Sequence, residues 1–160
     1  MRPWERDLFL RLSELYLYDF SEFEGWSVQE SGLYSRNRWS ELLLETPGRD
    51  ALLLRVRGEP AGFAVVDPRS PLPGGDRHRY VAEFLVLRKF RRGGYGEAMA
   101  RALFDRYPGH WHILQVPKNA AAQRFWRRVI GAYTGDRFTE HVAEDGDLVQ
   151  TFDTADKVIR

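Results

Sequence analysis

The stretch from Tyr80 to Glu97, YVAEFLVLRKFRRGGYGE, constrains the fold more than any other part of the chain. An apolar run, Tyr80 to Leu87, meets a basic turn, then a glycine cluster, then a helix-forming segment that opens near Tyr95. A strand that ends in glycines and opens a helix is a natural anion site. Backbone N–H groups without helical partners converge there, and the helix dipole favours negative charge. Arg88, Lys89, Arg91 and Arg92 sit in or beside this turn. The stretch therefore reads as a loop that holds the phosphates of a cofactor.

The flanking pattern supplies the rest of the architecture. Residues 4–18 read as a helix, with Trp4, Leu8, Leu12, Leu15 and Tyr16 recurring at three- and four-residue spacing. Tyr18 to Tyr34 is weakly periodic and reads as loop with short helical pieces, and Trp39 to Leu44 fits strand and helix alike. Ala51–Val56 and Ala61–Val66 flank Arg57-Gly58-Glu59-Pro60 as an antiparallel hairpin. Pro68 to Asp76 is a loop, and Glu97 to Tyr107 a helix stopped by Pro108-Gly109. Trp111 to Val116 is a further strand. Asn119 is a good N-cap for a helix whose apolar face runs through Ala121/Ala122, Phe125/Trp126 and Val129/Ile130, with Gly131 closing it. Phe138–Val142 and Leu148–Phe152 flank an Asp-Gly turn as a second hairpin. Strands alternating with helices in the centre imply parallel pairing, and hairpins at both ends imply antiparallel pairing. The sheet should be mixed.

Composition removes whole classes of function. A chain of 160 residues with 43% hydrophobic and 29% charged residues fits one globular domain, residues 1–160, with a real core. The net charge of +1 argues against a general nucleic-acid binder, so basic patches must be local. The absence of cysteine excludes disulfides, thiolate metal sites and a cysteine nucleophile. The start, MRPWERDLFLRL, has no signal-peptide core, and no run reaches membrane-spanning length. The expectation is a soluble cytoplasmic protein without a membrane partner. The four histidines lack ligand spacing, so no metal is expected. No nucleophile elbow supports Ser/His/Asp hydrolysis.

Comparison of phosphate loops narrows the glycine turn. It lacks the Gly-Lys-Ser/Thr ending of nucleoside-triphosphate loops and the Gly-x-Gly-x-x-Gly spacing of dinucleotide loops. It does match Arg/Gln-x-x-Gly-x-Gly/Ala through Arg91, Gly94 and Gly96, directly after a strand. Downstream, Asn119-Ala-Ala-Ala-Gln-Arg-Phe125-Trp126 follows the next strand. These two segments resemble, in order and context, those of the GNAT superfamily of acyl-CoA-dependent N-acetyltransferases. The resemblance covers about residues 51–152. More loosely, the chain resembles a bacterial branch of predicted acetyltransferases with an Ala-Glu-Phe strand before an Arg-rich loop.

The resemblance implies an α/β (α+β) fold with a mixed central sheet of about six to seven strands flanked by helices. It implies acetyl-CoA as cosubstrate and direct acetyl transfer to a primary amine in a ternary complex. The backbone of Leu85, Val86 and Leu87 would pair with the pantetheine arm, one N–H polarising the thioester carbonyl. Arg91, Arg92, Gly93, Gly94, Tyr95 and Gly96, with the Glu97 amide, would cradle the pyrophosphate. Asn119, Phe125 and Trp126 would line the pantetheine and thiol end; Asn119 is equally explained as a plain cap. Most active members of that family carry Tyr where this chain has Trp126, and an indole cannot give up a proton near neutral pH. Tyr133, Tyr95 or water would then protonate the thiolate, or no acid is needed, and Trp126 reads as core. A non-catalytic acyl-CoA-binding module is the alternative this departure leaves open, and an RNA surface built on Arg88–Arg92 and Arg124–Arg128 is a third.

Glu83 is the expected general base. It interrupts an apolar strand on the face shared with Val81, Leu85 and Leu87, where apolar neighbours disfavour its charged form and raise its pKa. Family analogy puts Trp26 and Tyr34, with Tyr16, Tyr18, Asp19 and Glu22, over the acceptor cleft. Aromatics with carboxylates suit a cationic amine, although aromatics serve more often as core. The acceptor's identity and the choice between monomer and homodimer stay open.

Overall fold

The computed structural model describes residues 5–34 and 38–158. Six strands hydrogen-bond in the order β1-β2-β3-β4-β6-β5: β1 (Asp50–Val56), β2 (Glu59–Asp67), β3 (His78–Val86), β4 (His110–Gln115), β5 (Thr139–Val142) and β6 (Leu148–Asp153). β3 and β4 pair in parallel, whereas β1–β2, β4–β6 and β5–β6 are antiparallel, so the sheet is mixed. Four α-helices accompany it: α1 (Glu5–Glu24), α2 (Trp39–Glu45), α3 (Tyr95–Arg106) and α4 (Ala120–Thr134). The chain forms two compact units. One comprises Met1–Val66 with Ala82–Lys89; the other comprises Asp67–Val81 with Phe90–Arg160.

In the first unit, Phe9, Leu12, Leu43, Phe63, Val65 and Leu85 form the buried core. Phe9 meets Phe63 edge-on at 4.8 Å. The β1–β2 hairpin turns on Arg57 and Gly58, both at positive φ (51° and 85°), the twist that a two-residue turn needs to match its strands. Pro60 lies inside β2. The register shifts at Leu54/Arg55, which leaves Ala61 outside the β1 pairing. The Ala61 carbonyl instead accepts the Leu87 N–H at 2.8 Å. Next to it, Gly62 tolerates no side chain: a Cβ there would lie 2.0 Å from the Leu85 carbonyl oxygen.

In the second unit, Phe104 on α3 centres an aromatic core. Its ring meets Trp111 at 5.3 Å, Tyr133 at 5.2 Å and Phe152 at 4.8 Å, all edge-on, a favoured quadrupole geometry. Val129 and Ile130 are fully buried on the inner face of α4, which packs on α3, β4 and β6.

Three boundaries differ from the sequence reading. The expected helix over 4–18 continues to Glu24, because no glycine or proline intervenes until Gly25, which takes a φ of 70° and returns its N–H to the Ser21 carbonyl. Trp4 lies outside the described residues. The ambiguous Trp39–Leu44 segment is helical and buries Ser40 and Leu43. Gly131 does not close α4: it lies within the helix, where a Cβ would approach Asp136 Oδ1 to 2.5 Å, and the stop is left-handed Gly135 (φ 64°). Termination falls to Gly135, while a Cβ at 131 would have to displace the end of the Asp136 side chain.

Gly62→Ala forces its methyl against backbone that cannot rotate away. It is expected to destabilise by about 3 kcal/mol or more, read as a lower urea midpoint, whereas Gly58→Asn, at an open turn position, is expected to cost under about 1 kcal/mol.

Candidate functional site

The glycine turn belongs to the second unit. Phe90 is buried and meets the Tyr95 ring edge-on at 6.1 Å, which anchors both ends of the turn. Between them Arg92 and Gly94 take positive φ (64° and 80°), and Gly94 is the N-cap of α3 without any side-chain cap. The first helical bond runs from the Ala98 N–H to the Gly94 carbonyl at 2.9 Å. The preceding amides of Tyr95, Gly96 and Glu97 thus have no acceptor within the helix. A Cβ on Gly94 would meet nothing within 4 Å, whereas one on Gly93 would lie 2.8 Å from the Tyr95 ring. Glu97 turns its carboxylate along the helix to Arg101 at 3.1 Å. Arg91 and Arg92 are exposed. An open, glycine-capped helix start flanked by guanidiniums suits a polyanion.

α4 carries the remaining expected cofactor residues in the same unit. Asn119 Oδ1 accepts the Ala122 N–H at 3.0 Å, so the side chain caps the helix. Half-buried Phe125 meets Trp126 at 5.0 Å, with the Arg128 guanidinium 5.7 Å from its ring. Trp126 is only 5% exposed and packs toward Phe104 at 6.3 Å. Tyr133 is 1% exposed, and its hydroxyl donates to Asp105 at 2.8 Å. Burial first, and the Asp105 carboxylate with it, pushes the Tyr133 phenol well above its ordinary range.

The first unit holds the strand residues. Leu85 is buried, and the Leu87 N–H is committed to Ala61, which takes it out of the set of donors expected to polarise a carbonyl. Two of the four cations noted in the sequence are paired here: Arg88 with Asp19 at 2.8 Å, and Lys89 with Glu59. Glu83 is half-buried on β3. Burial raises its carboxyl to about 7, against a hydrogen bond from Tyr16 and the positive charge of Arg49, which both lower it. Neither Tyr16 nor Arg49 is legible as a partner of Glu83 from the sequence, since no periodicity links positions so far apart. Trp26 is 46% exposed and stacks on Phe20 at 6.0 Å. Tyr34 meets Tyr18 edge-on at 6.0 Å, and its N–H donates to Glu14 at 2.6 Å.

The histidines have a structural explanation. Parallel pairing sets His78 opposite His110, and the His78 and His112 rings stack at 4.0 Å. His112 Nδ1 lies 2.9 Å from Ser70 Oγ, and burial, then His78 and His141, pushes its pKa down to about 4. Among the described residues no group of three or more histidines and carboxylates is placed to hold a metal ion. Among the described residues, too, no helix is long and apolar enough to cross a membrane.

With the geometry in place, the class is given by sequence comparison. The model of the acetyltransferase (GNAT) family matches residues 10–132, and the chain belongs to that family. Solved structures agree on the fold. An acetyltransferase from Thermus thermophilus superposes with a TM-score of 0.70 at 15% identity, over 96% of this chain and 93% of its own. A protein described as histone acetyltransferase HPA2 and related acetyltransferase, from Corynebacterium glutamicum, gives 0.69 at 15% identity, over 100% and 95%. A ribosomal-protein-alanine N-acetyltransferase from Brucella melitensis gives 0.62 at 20% identity, over 93% and 95%. No curated protein sequence matches the chain.

The raised Glu83 pKa has a consequence for stability. Between about pH 4.5 and 7 the folded chain keeps a proton on Glu83 that the unfolded chain has released, so this group's contribution falls as pH rises through that window. Glu83→Gln is expected to be more stable than wild type at pH 8, by about 1–3 kcal/mol, and close to it at pH 4, measured by urea unfolding.

Proposed function

We propose that this chain, read as a single catalytic domain over residues 1–160, transfers an acetyl group from acetyl-CoA to a primary amine while both are bound. The cytoplasm is its expected setting. Membership of the acetyltransferase family supports acetyl transfer in general. The observation that carries the finer reading is Glu83, a half-buried carboxylate with a pKa near 7, on the strand that leads into the glycine-capped turn.

The residues fit this chemistry. The first-turn amides of α3, with Arg91 and Arg92, would bind the pyrophosphate; Gly94 keeps that approach open. The strand backbone at Leu85 and Val86 would align the pantetheine, and Phe125 and Asn119 its thiol end. Glu83 would take the proton from the ammonium or from the attacking amine, directly or through one water, a role for which a pKa near the working pH is suited. The amine nitrogen then forms its bond to the thioester carbon as the carbon–sulfur bond breaks. Tyr133 shares its proton with Asp105 and is a weak acid there, so the reading leaves the departing thiolate, a fair leaving group, to be protonated by solvent. Trp26 and Tyr34 would face the amine acceptor. The RNA reading loses ground because Arg88, Lys89 and Arg127 are each paired with a carboxylate.

Trp126 favours one rival, a non-catalytic acyl-CoA sensor, since an indole stands where most active members of the family carry a phenol. Calorimetric titration with CoA separates the cases. Wild type is expected to bind, and Gly94→Trp, strained at a φ of 80° and filling the approach, is expected to bind at least about tenfold more weakly. No binding by wild type sinks both readings. Thiol release from acetyl-CoA over an amine panel is expected to fall about 10²–10⁴-fold in Glu83→Gln, as loss of a general base predicts. Binding without thiol release for any amine leaves the sensor. Tyr133→Phe is expected to keep activity within about threefold and to lose about 1 kcal/mol of stability.

A further inference from the structure

We propose that Tyr16 is a positioning residue for Glu83, holding the carboxylate through its hydroxyl while three neighbouring rings hold Tyr16 itself. The inference rests on the reading of Glu83 as the base. It concerns a residue on α1, 67 positions away in sequence from the carboxylate it serves.

The geometry is that of a clamp. The Tyr16 ring lies parallel to Trp39 of α2 at 6.2 Å, with an interplanar angle of 6°. Phe20, one turn along α1, meets it at 5.1 Å, and Phe63 of β2 presents an edge at 5.8 Å. Rings from three separate elements thus fix the phenol in the plane of a flat side chain with only two rotatable bonds. The hydroxyl it carries donates to Glu83. Among the described residues, the charged and titratable groups that act on Glu83 are Tyr16 from α1 and Arg49 from the segment between α2 and β1.

Each group has a different task. An apolar strand position alone would keep the carboxyl protonated past the pH at which a base must be ionised. A donor from a held phenol stabilises the ionised form and also fixes which way its oxygens point. Arg49 adds charge without that directional hold. A core tyrosine would need no such partner: its ring packing is complete without the oxygen, so Tyr16→Phe separates the two roles.

Two readouts on the full chain test this. In the pH profile of kcat/KM for thiol release, the acid limb of wild type is expected near 7, and Tyr16→Phe is expected to move it upward by roughly half to one unit. The variant then loses roughly three- to tenfold more at pH 6 than it does above pH 9, whereas a loss of packing lowers the rate by one factor at all pH values. Carboxyl-carbon NMR, with the Glu83 resonance assigned by its absence in Glu83→Gln, reads the same shift without turnover. Incorporation of 3-fluorotyrosine at position 16, a stronger donor, is expected to move the Glu83 midpoint downward. A Glu83 resonance that titrates identically in wild type, Tyr16→Phe and the fluorinated chain overturns the proposal. An acid limb that survives in Glu83→Gln overturns the base reading instead, and the NMR shift still decides whether Tyr16 holds the carboxylate.

Discussion

A carboxylate inside an apolar strand is costly to ionise, and Glu83 in the first unit meets that constraint with two partners, Tyr16 and Arg49. Glu83 has lost enough water to bring its pKa to about 7, yet a phenol and a guanidinium keep the ionised form within reach. Such a balance is stable only if the donors cannot drift. The aromatic packing of α1 and α2 against β2 supplies that rigidity: Phe9, Tyr16, Trp39 and Phe63 are in ring-to-ring contact. The polar pair is held by an apolar shell.

In the second unit the start of α3 leaves backbone donors without a side-chain cap. Strand must become helix within a few residues, and two positive-φ positions, Arg92 and Gly94, make that turn. The absence of a side-chain cap on α3 leaves its opening amides to an outside partner, while the neighbouring helix α4 is closed by its own Asn119. One helix start is satisfied internally and the other is not. That contrast leaves backbone donors open at the glycine turn, beside the exposed Arg91 and Arg92, an arrangement suited to an anion.

Family membership and fold leave the acceptor open. The solved structures with this fold bear descriptions as different as a ribosomal-protein-alanine N-acetyltransferase and a histone acetyltransferase, at 15–20% identity, so the fold is compatible with unrelated amines. In this chain the proposed acceptor residues are Trp26, which is exposed, and Tyr34, which is half-buried.

Local pattern by itself determined a good deal. Alternation and helical spacing specify each strand, the mixed pairing and the glycine-capped start of α3, because each depends on residues close in the chain. The strand alternation also singled out Glu83, as one carboxylate in an apolar run. What only tertiary structure decided involves partners far apart: Tyr16 and Arg49 on Glu83, the Ala61 carbonyl on the Leu87 N–H, Asp105 on Tyr133, and the carboxylates that pair Arg88 and Lys89. Gly131 shows the difference most plainly. In sequence a glycine after an apolar helix signals an end, but here the helix runs on to Thr134 and a Cβ at 131 would press on the Asp136 carboxylate. Glycine looks the same in sequence whether φ or space selects it, and only the packed structure says which.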